Sequence, residues 1–162
     1  MSKSLVLMRD VICQYHPEFV QNCALQKFAL DMPKRFNIEH LIEETLAHVG
    51  RLKFVDAEGY DFLPDYSDSK TVTVNSNTRV AEINSVENKI GAIRITAYNP
   101  FKDGVDFFFV PKSDLSYVKE PCYGLTQSFK ERIKFTYSKK SDNYGWFEDY
   151  RVESFKRLAI AR

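Results

Sequence analysis

A chain of 162 residues with 44% apolar content is long enough to bury one hydrophobic core, which excludes global disorder. Its 23 basic and 22 acidic residues leave a net charge of +1, so bulk charge alone marks out no polyanion binder. Cys13, Cys23 and Cys122 are odd in number and none has CxxC spacing, which argues against a disulfide framework and a structural zinc site. Leu5 to Met8 is too short for a signal-peptide core and no run is long enough to span a bilayer, so the expectation is a cytoplasmic protein with no membrane partner. One domain over residues 1–162 is expected: a mainly helical part to residue 50, a sheet over 51–111, and a basic aromatic part over 112–162.

Residues 4–31 carry apolar side chains at spacings of three and four, from Leu5, Met8 and Val11 to Cys23, Leu25 and Phe28, and read as one or two helices. Pro33 ends that region. Asn37 then caps a clearer helix, with Ile38, Leu41, Ile42, Leu46 and Val49 on its apolar face and Gly50 closing it. Glu43 and Glu44 stand in its middle, and His40 and His48 lie two turns apart without a third metal ligand. Arg51 to Val55 reads as a short strand or extended link, and Asp56-Ala-Glu-Gly59 as a turn.

The next stretch concentrates chemistry. Pro64 and Ser67 break regular structure up to Tyr66, whereas Thr71 to Val74 are β-formers, so a turn hands over to a strand at about Asp68. Asp68 and Lys70, two residues apart, share one strand face, and Asp61 can fold back beside them. Carboxylates crowded in this way repel one another and are relieved by Mg²⁺, which takes oxygen ligands, while a nearby ammonium can orient or deprotonate a water.

Asn75 to Thr78 signals a turn, so Arg79 to Ile83 is expected to return antiparallel, with Glu82 a further candidate metal ligand. The polar stretch Asn84 to Gly91 offers Asn84 and Lys89, with Arg94 just beyond, as contacts to bases or phosphates. Gly91 to Tyr98 alternates as a strand, and a loop through Asn99-Pro100 and Asp103-Gly104 leads into Asp106 to Pro111. Three consecutive phenylalanines in that run suit a strand buried on both faces.

Ile133 to Tyr137 reads as a strand, Ser141 to Asn143 as a turn, and Val152 to Ala161 as a short helix with Phe155, Leu158 and Ala159 inward. Residues 1–70 hold eight basic against eleven acidic residues, and 129–162 hold nine against five. The chain is thus polarised. Lys139, Lys140 and Arg151, interleaved with aromatics, are the expected phosphate contacts of the basic end.

Asp61, followed seven residues later by Asp68-Ser-Lys70 opening a hydrophobic strand, resembles the core of the PD-(D/E)XK nuclease superfamily, to which many type II restriction endonucleases belong. The resemblance covers roughly residues 40 to 111. It implies an α/β (α+β) domain with a mixed, largely antiparallel central sheet flanked by helices, and Mg²⁺-dependent hydrolysis of double-stranded DNA. Asp61 and Asp68 would bind metal, Lys70 would orient or activate water, and Glu43 or Glu44 would complete the site from the upstream helix. In that family a buried strand such as 106–111 commonly adjoins the catalytic one. Pro64-Asp65 matches the literal first half of the motif but lies only three residues before Asp68, so Asp61 is favoured and Asp65 held in reserve. Cutting both strands of a site implies a homodimer. Two readings from other classes stay open: a nucleic-acid-binding protein without chemistry, and an interaction or inhibitor module whose acidic first half meets a basic partner.

Overall fold

In a computed structural model of the chain, residues 34–102, 104–123 and 129–162 are described. The helices expected over residues 4–31 lie outside them. Helix α1 (Lys34–Gly50) begins three residues before Asn37, which therefore sits inside it rather than capping it. Leu41, Ile42, Thr45 and Leu46 form its buried stripe at helical spacing, leaving Glu44 and His48 outward. Its last residue packs directly on the chain's final helix. A Cβ at Gly50 would lie 2.1 Å from the Ala159 carbonyl oxygen, so only glycine allows the approach.

Strands β1 (Lys53–Ala57) and β2 (Tyr60–Leu63) form an antiparallel hairpin around Glu58-Gly59. The turn is two residues shorter than composition suggested, because Asp56 and Ala57 continue the strand. Strand β3 (Asp68–Thr73) starts at the expected residue. It pairs in parallel with β5 (Ile93–Asn99), from Asp68 opposite Ile93 to Thr73 opposite Tyr98. Strand β5 pairs antiparallel with β6 (Gly104–Val110), closing the expected hairpin. The phenylalanine-rich strand is therefore one place removed from β3 rather than adjacent to it.

Strand β4 (Val80–Ile83) departs from expectation, since it does not run back along β3. Asn75 and Val80 close a tight turn at 2.9 Å, and Arg79 takes a positive φ of 62°, which swings the chain out of the first sheet. It pairs instead with β8 (Phe129–Thr136), which also takes β7 (Lys119–Tyr123) on its other edge, both antiparallel. Between β6 and β7 lies a 3₁₀ turn at Lys112–Asp114 and helix α2 (Leu115–Val118). After β8 come a 3₁₀ turn at Gly145–Tyr150, the edge strand β9 (Arg151–Val152) beside β6, and α3 (Phe155–Ile160), which Ser154 caps by accepting from the Arg157 N–H.

The described residues are thus α+β, with one mixed sheet β3-β5-β6-β9 and two antiparallel ones. One core fills the space between the four- and three-stranded sheets, where Ile93, Ile95, Phe108 and Val110 meet Ala81, Ile83, Ile133 and Phe135. A second core lies on the other face, where Phe62, Tyr98 and Phe107 meet Ile42, Leu46, Phe155 and Leu158. Covered on both sides, β5 is buried at all seven positions. Among the described residues no helix is long and apolar enough to cross a membrane.

Candidate active site

Four carboxylates from four different elements converge at the start of β3. Glu43 comes from α1, Asp56 from β1, Asp61 from β2 and Asp68 from the first position of β3; all line one cleft of about 450 Å³. Asp56 reaches it through a bulge. Two β1 residues, Val55 and Asp56, stand opposite Asp61 alone, and Asp56 takes a left-handed φ of 47°. Bulges re-aim side chains in this way, and aspartate is among the residues that tolerate the conformation. Oxygen atoms of Glu43, Asp56 and Asp61 all lie within 4.8 Å of one another.

Asp61 is 7% exposed and its Oδ2 accepts the Ser69 N–H at 2.9 Å, which fixes the carboxylate against β3. Asp68 is 3% exposed. Its Oδ2 lies 3.0 Å from Lys89 Nζ and 3.7 Å from Lys70 Nζ, and it is charge-paired but not hydrogen-bonded. Lys70 and Asp68 do share the cleft side of β3, as their spacing requires. Gly91 sets the depth of the site: a Cβ there would lie 2.2 Å from the Tyr66 carbonyl oxygen, and the next residue's carbonyl accepts the Asp68 N–H at 2.9 Å.

The electrostatics are unbalanced. Among the described residues that line the cleft, six carboxylates, with Glu39 and Glu82 added to the four, stand with two lysines, Lys70 and Lys89. Burial, then the charges of Asp61 and Asp56, push the Glu43 carboxyl up to about 8. Burial and the Asp68 charge raise Asp61 to about 7 against the opposing pull of the Ser69 N–H. Burial and mutual repulsion thus both hold these carboxyls above their ordinary range.

Several expected residues lie elsewhere. Asp65 turns away from the cleft to hold Arg94 at 2.8 Å and to accept from Ser67, so Asp61, not Asp65, lies among the cleft carboxylates. Burial works to raise the Asp65 carboxyl, but the Ser67 bonds and the Arg94 charge outweigh it and hold it below the usual range. Glu44 faces outward on α1, 3.2 Å from His40, and does not line the cleft; Glu43 does. Glu82 lines the rim but its Oε1 accepts from Arg132 at 3.2 Å.

The expected DNA contacts divide in the same way. Arg94 is fully buried, donating to Asp65, Ser67 and the Leu158 carbonyl with its guanidinium against the Phe109 ring, so it reaches no surface. Arg151 is bound up with Asp106 and Glu148 and lies over the Tyr144 ring. Asn84 is exposed at the cleft edge, whereas Lys89 points in toward Asp68 with only 11% of its side chain exposed. Lys139 and Lys140 are exposed at the opposite end of the sheet, Lys139 over the Phe101 ring.

Composition read Asp56 as a turn residue, and no local pattern announces the bulge that makes it a site residue. No protein-family model matches this sequence, and comparison with curated proteins finds no significant relative.

Proposed function

We propose that the chain is a Mg²⁺-dependent DNA endonuclease of the type II restriction kind, a cytoplasmic enzyme that acts on double-stranded DNA as a homodimer. The observation that carries this reading is the convergence of Glu43, Asp56, Asp61 and Asp68 on one cleft with Lys70 and Lys89 beside them. Spaced acids followed by Asp-x-Lys at a strand start, with a glutamate from the preceding helix, are the elements that the resemblance to PD-(D/E)XK nucleases implies.

The donor set fits a hard divalent cation. Every ligand is a carboxylate oxygen, the two raised carboxyls gain most from a positive neighbour, and buried Asp68 Oδ2 has no hydrogen bond. Glu43, Asp56 and Asp61 would hold the ion with Asp68 at its side; when bound it supplies Lewis acidity and a more acidic water. The chain's own groups do the rest. Asp61 is locked by the Ser69 N–H, so its carboxylate is oriented before any ligand arrives. Lys70, 28% exposed at the rim, is free to hold a water against the scissile phosphate or to offset charge on the leaving oxygen. Lys89 offsets Asp68 from within.

Incubation of supercoiled plasmid and phage DNA with the protein in Mg²⁺ or in EDTA tests the reading. Discrete fragments that require the metal are expected. Intact DNA across several divalent ions and substrates would remove the proposed activity.

A further inference from the structure

A second groove of about 510 Å³ adjoins the carboxylate cleft, and its character is the reverse. Lys89, Lys112 and Lys119 line it with Ile90, Leu115 and a single acid, Glu131. Lys112 is exposed and Lys119 half-buried, and neither forms an ion pair among the described residues. Lys89 belongs to both sites: it walls the groove while its Nζ lies 3.0 Å from Asp68 Oδ2. The two sites therefore share one wall.

A cleft with six acids and two lysines repels the polyanion it is proposed to cut, so the phosphodiester chain must be held by cations outside it. The lysines earlier expected to do so are badly placed. Asp68 pairs with Ile93 at one end of β5, while Lys139 sits over Phe101, just past Asn99 at the other. At about 3.3 Å per residue the length of β5 separates them by roughly 20 Å. Lys112 and Lys119 instead share a groove with a residue that touches the catalytic acid. We propose that this groove is the substrate track: the backbone of the strand to be cut lies along Lys119 and Lys112, and Lys89 hands its phosphate over to the carboxylates. Ile90, 51% exposed, gives the sugar and base edges an apolar surface.

This inference rests on the nuclease reading for the word substrate, but its test does not depend on cleavage. Binding of a fluorescent oligonucleotide, duplex and single-stranded in separate arms, is measured in EDTA at several salt concentrations, and cleavage is measured separately in Mg²⁺. Replacing Lys112 and Lys119 together (Lys112→Ala, Lys119→Ala) should weaken binding at least tenfold at moderate salt. For duplex, the slope of log affinity against log salt should flatten by about 0.9 for each lysine lost. The Lys139→Ala, Lys140→Ala pair should bind as the parent does. Lys112, Lys139 and Lys140 are exposed and Lys119 half-buried, and a thermal melt of each pair checks that folding is retained. Unchanged binding in the first pair, or an equal loss in the second, overturns the track. Groove-dependent binding without cleavage by the parent would keep the track and sink the nuclease, cleavage without groove dependence would do the reverse, and a parent that neither binds nor cuts would sink both.

Discussion

Two buried aspartates sit at opposite ends of the β5–β6 hairpin, and they differ in how fully their oxygens are hydrogen-bonded. At the Asn99 end, Asp106 is 6% exposed, its Oδ1 receiving Arg151 at 2.7 Å and Lys102 at 2.9 Å, its Oδ2 receiving the Tyr144 hydroxyl, which Asn99 also contacts. Every acceptor is used. At the Ile93 end, Asp68 is as deeply buried, but its Oδ2 has no hydrogen bond, and two neighbouring carboxyls are pushed up to about 7 and about 8. A buried carboxylate is therefore no sign of a site by itself. What sets the Asp68 cleft apart, among the described residues, is a buried acceptor without a hydrogen bond beside carboxyls that crowd one another.

Breaking the complete cluster should have the largest effect. Asp106→Ala leaves Arg151, Lys102 and Tyr144 without their shared partner, and the expected loss is about 3–5 kcal/mol in a chemical-denaturation midpoint. The open cluster should behave oppositely. Asp68→Asn is expected to keep the fold while cleavage falls at least about a hundredfold, on the order of 2.7 kcal/mol in the barrier. Calorimetry should show weaker Mg²⁺ binding in the same variant, and unaltered affinity would take Asp68 out of the site.

The third prediction concerns pH. Glu43 and Asp61 keep protons in the folded chain at pH values where the unfolded chain has released them, since both folded values are raised. Their contribution to stability without metal is then fully present below about pH 4 and is lost as pH rises through about 8. Glu43→Gln should remove part of that decline, raising stability at pH 8.5 by about 1 kcal/mol after allowance for solvent screening, with no gain at pH 4. Parallel thermal melts of the two proteins at both pH values check it, and identical pH profiles would refute it. The smallest effect is expected at Glu44, an exposed partner of His40. Glu44→Gln should change stability by less than about 0.5 kcal/mol and leave cleavage as it was, separating it from its neighbour Glu43.

Local patterns in the sequence revealed the elements better than their partners. The apolar stripe of α1, the start of β3 at Asp68, the β5–β6 hairpin and the inward Phe155, Leu158 and Ala159 of α3 all follow from spacing and turn chemistry within a few residues. The departure of β4 to β8 does not, because that pairing joins segments some fifty residues apart and depends on which apolar face the rest of the chain covers. Arg94 misled for the same reason: it follows a polar loop and was expected to share that loop's reach, but α3 and the Asp65 turn close over it. Of the cleft itself, Asp61, Asp68 and Lys70 were legible from spacing, whereas Glu43 was offered, as an alternative to Glu44, through the family resemblance. Asp56 depended on a bulge, and Lys89's inward course on Val86 being seated fully in the core. Lys112 and Lys119 lie in a stretch with no strong periodicity.

Arg94 also acts as a tie-rod. One nitrogen of its guanidinium holds the carbonyl of Leu158 in α3 and the other holds Asp65, in the turn that feeds Asp68 into the cleft. Sixty-four residues of sequence are thereby shortened to a single side chain. Load placed on α3, by a fused domain, a tag or a surface tether, is transmitted straight to the turn ahead of Asp68, so the far end of the chain is mechanically the next neighbour of the cleft.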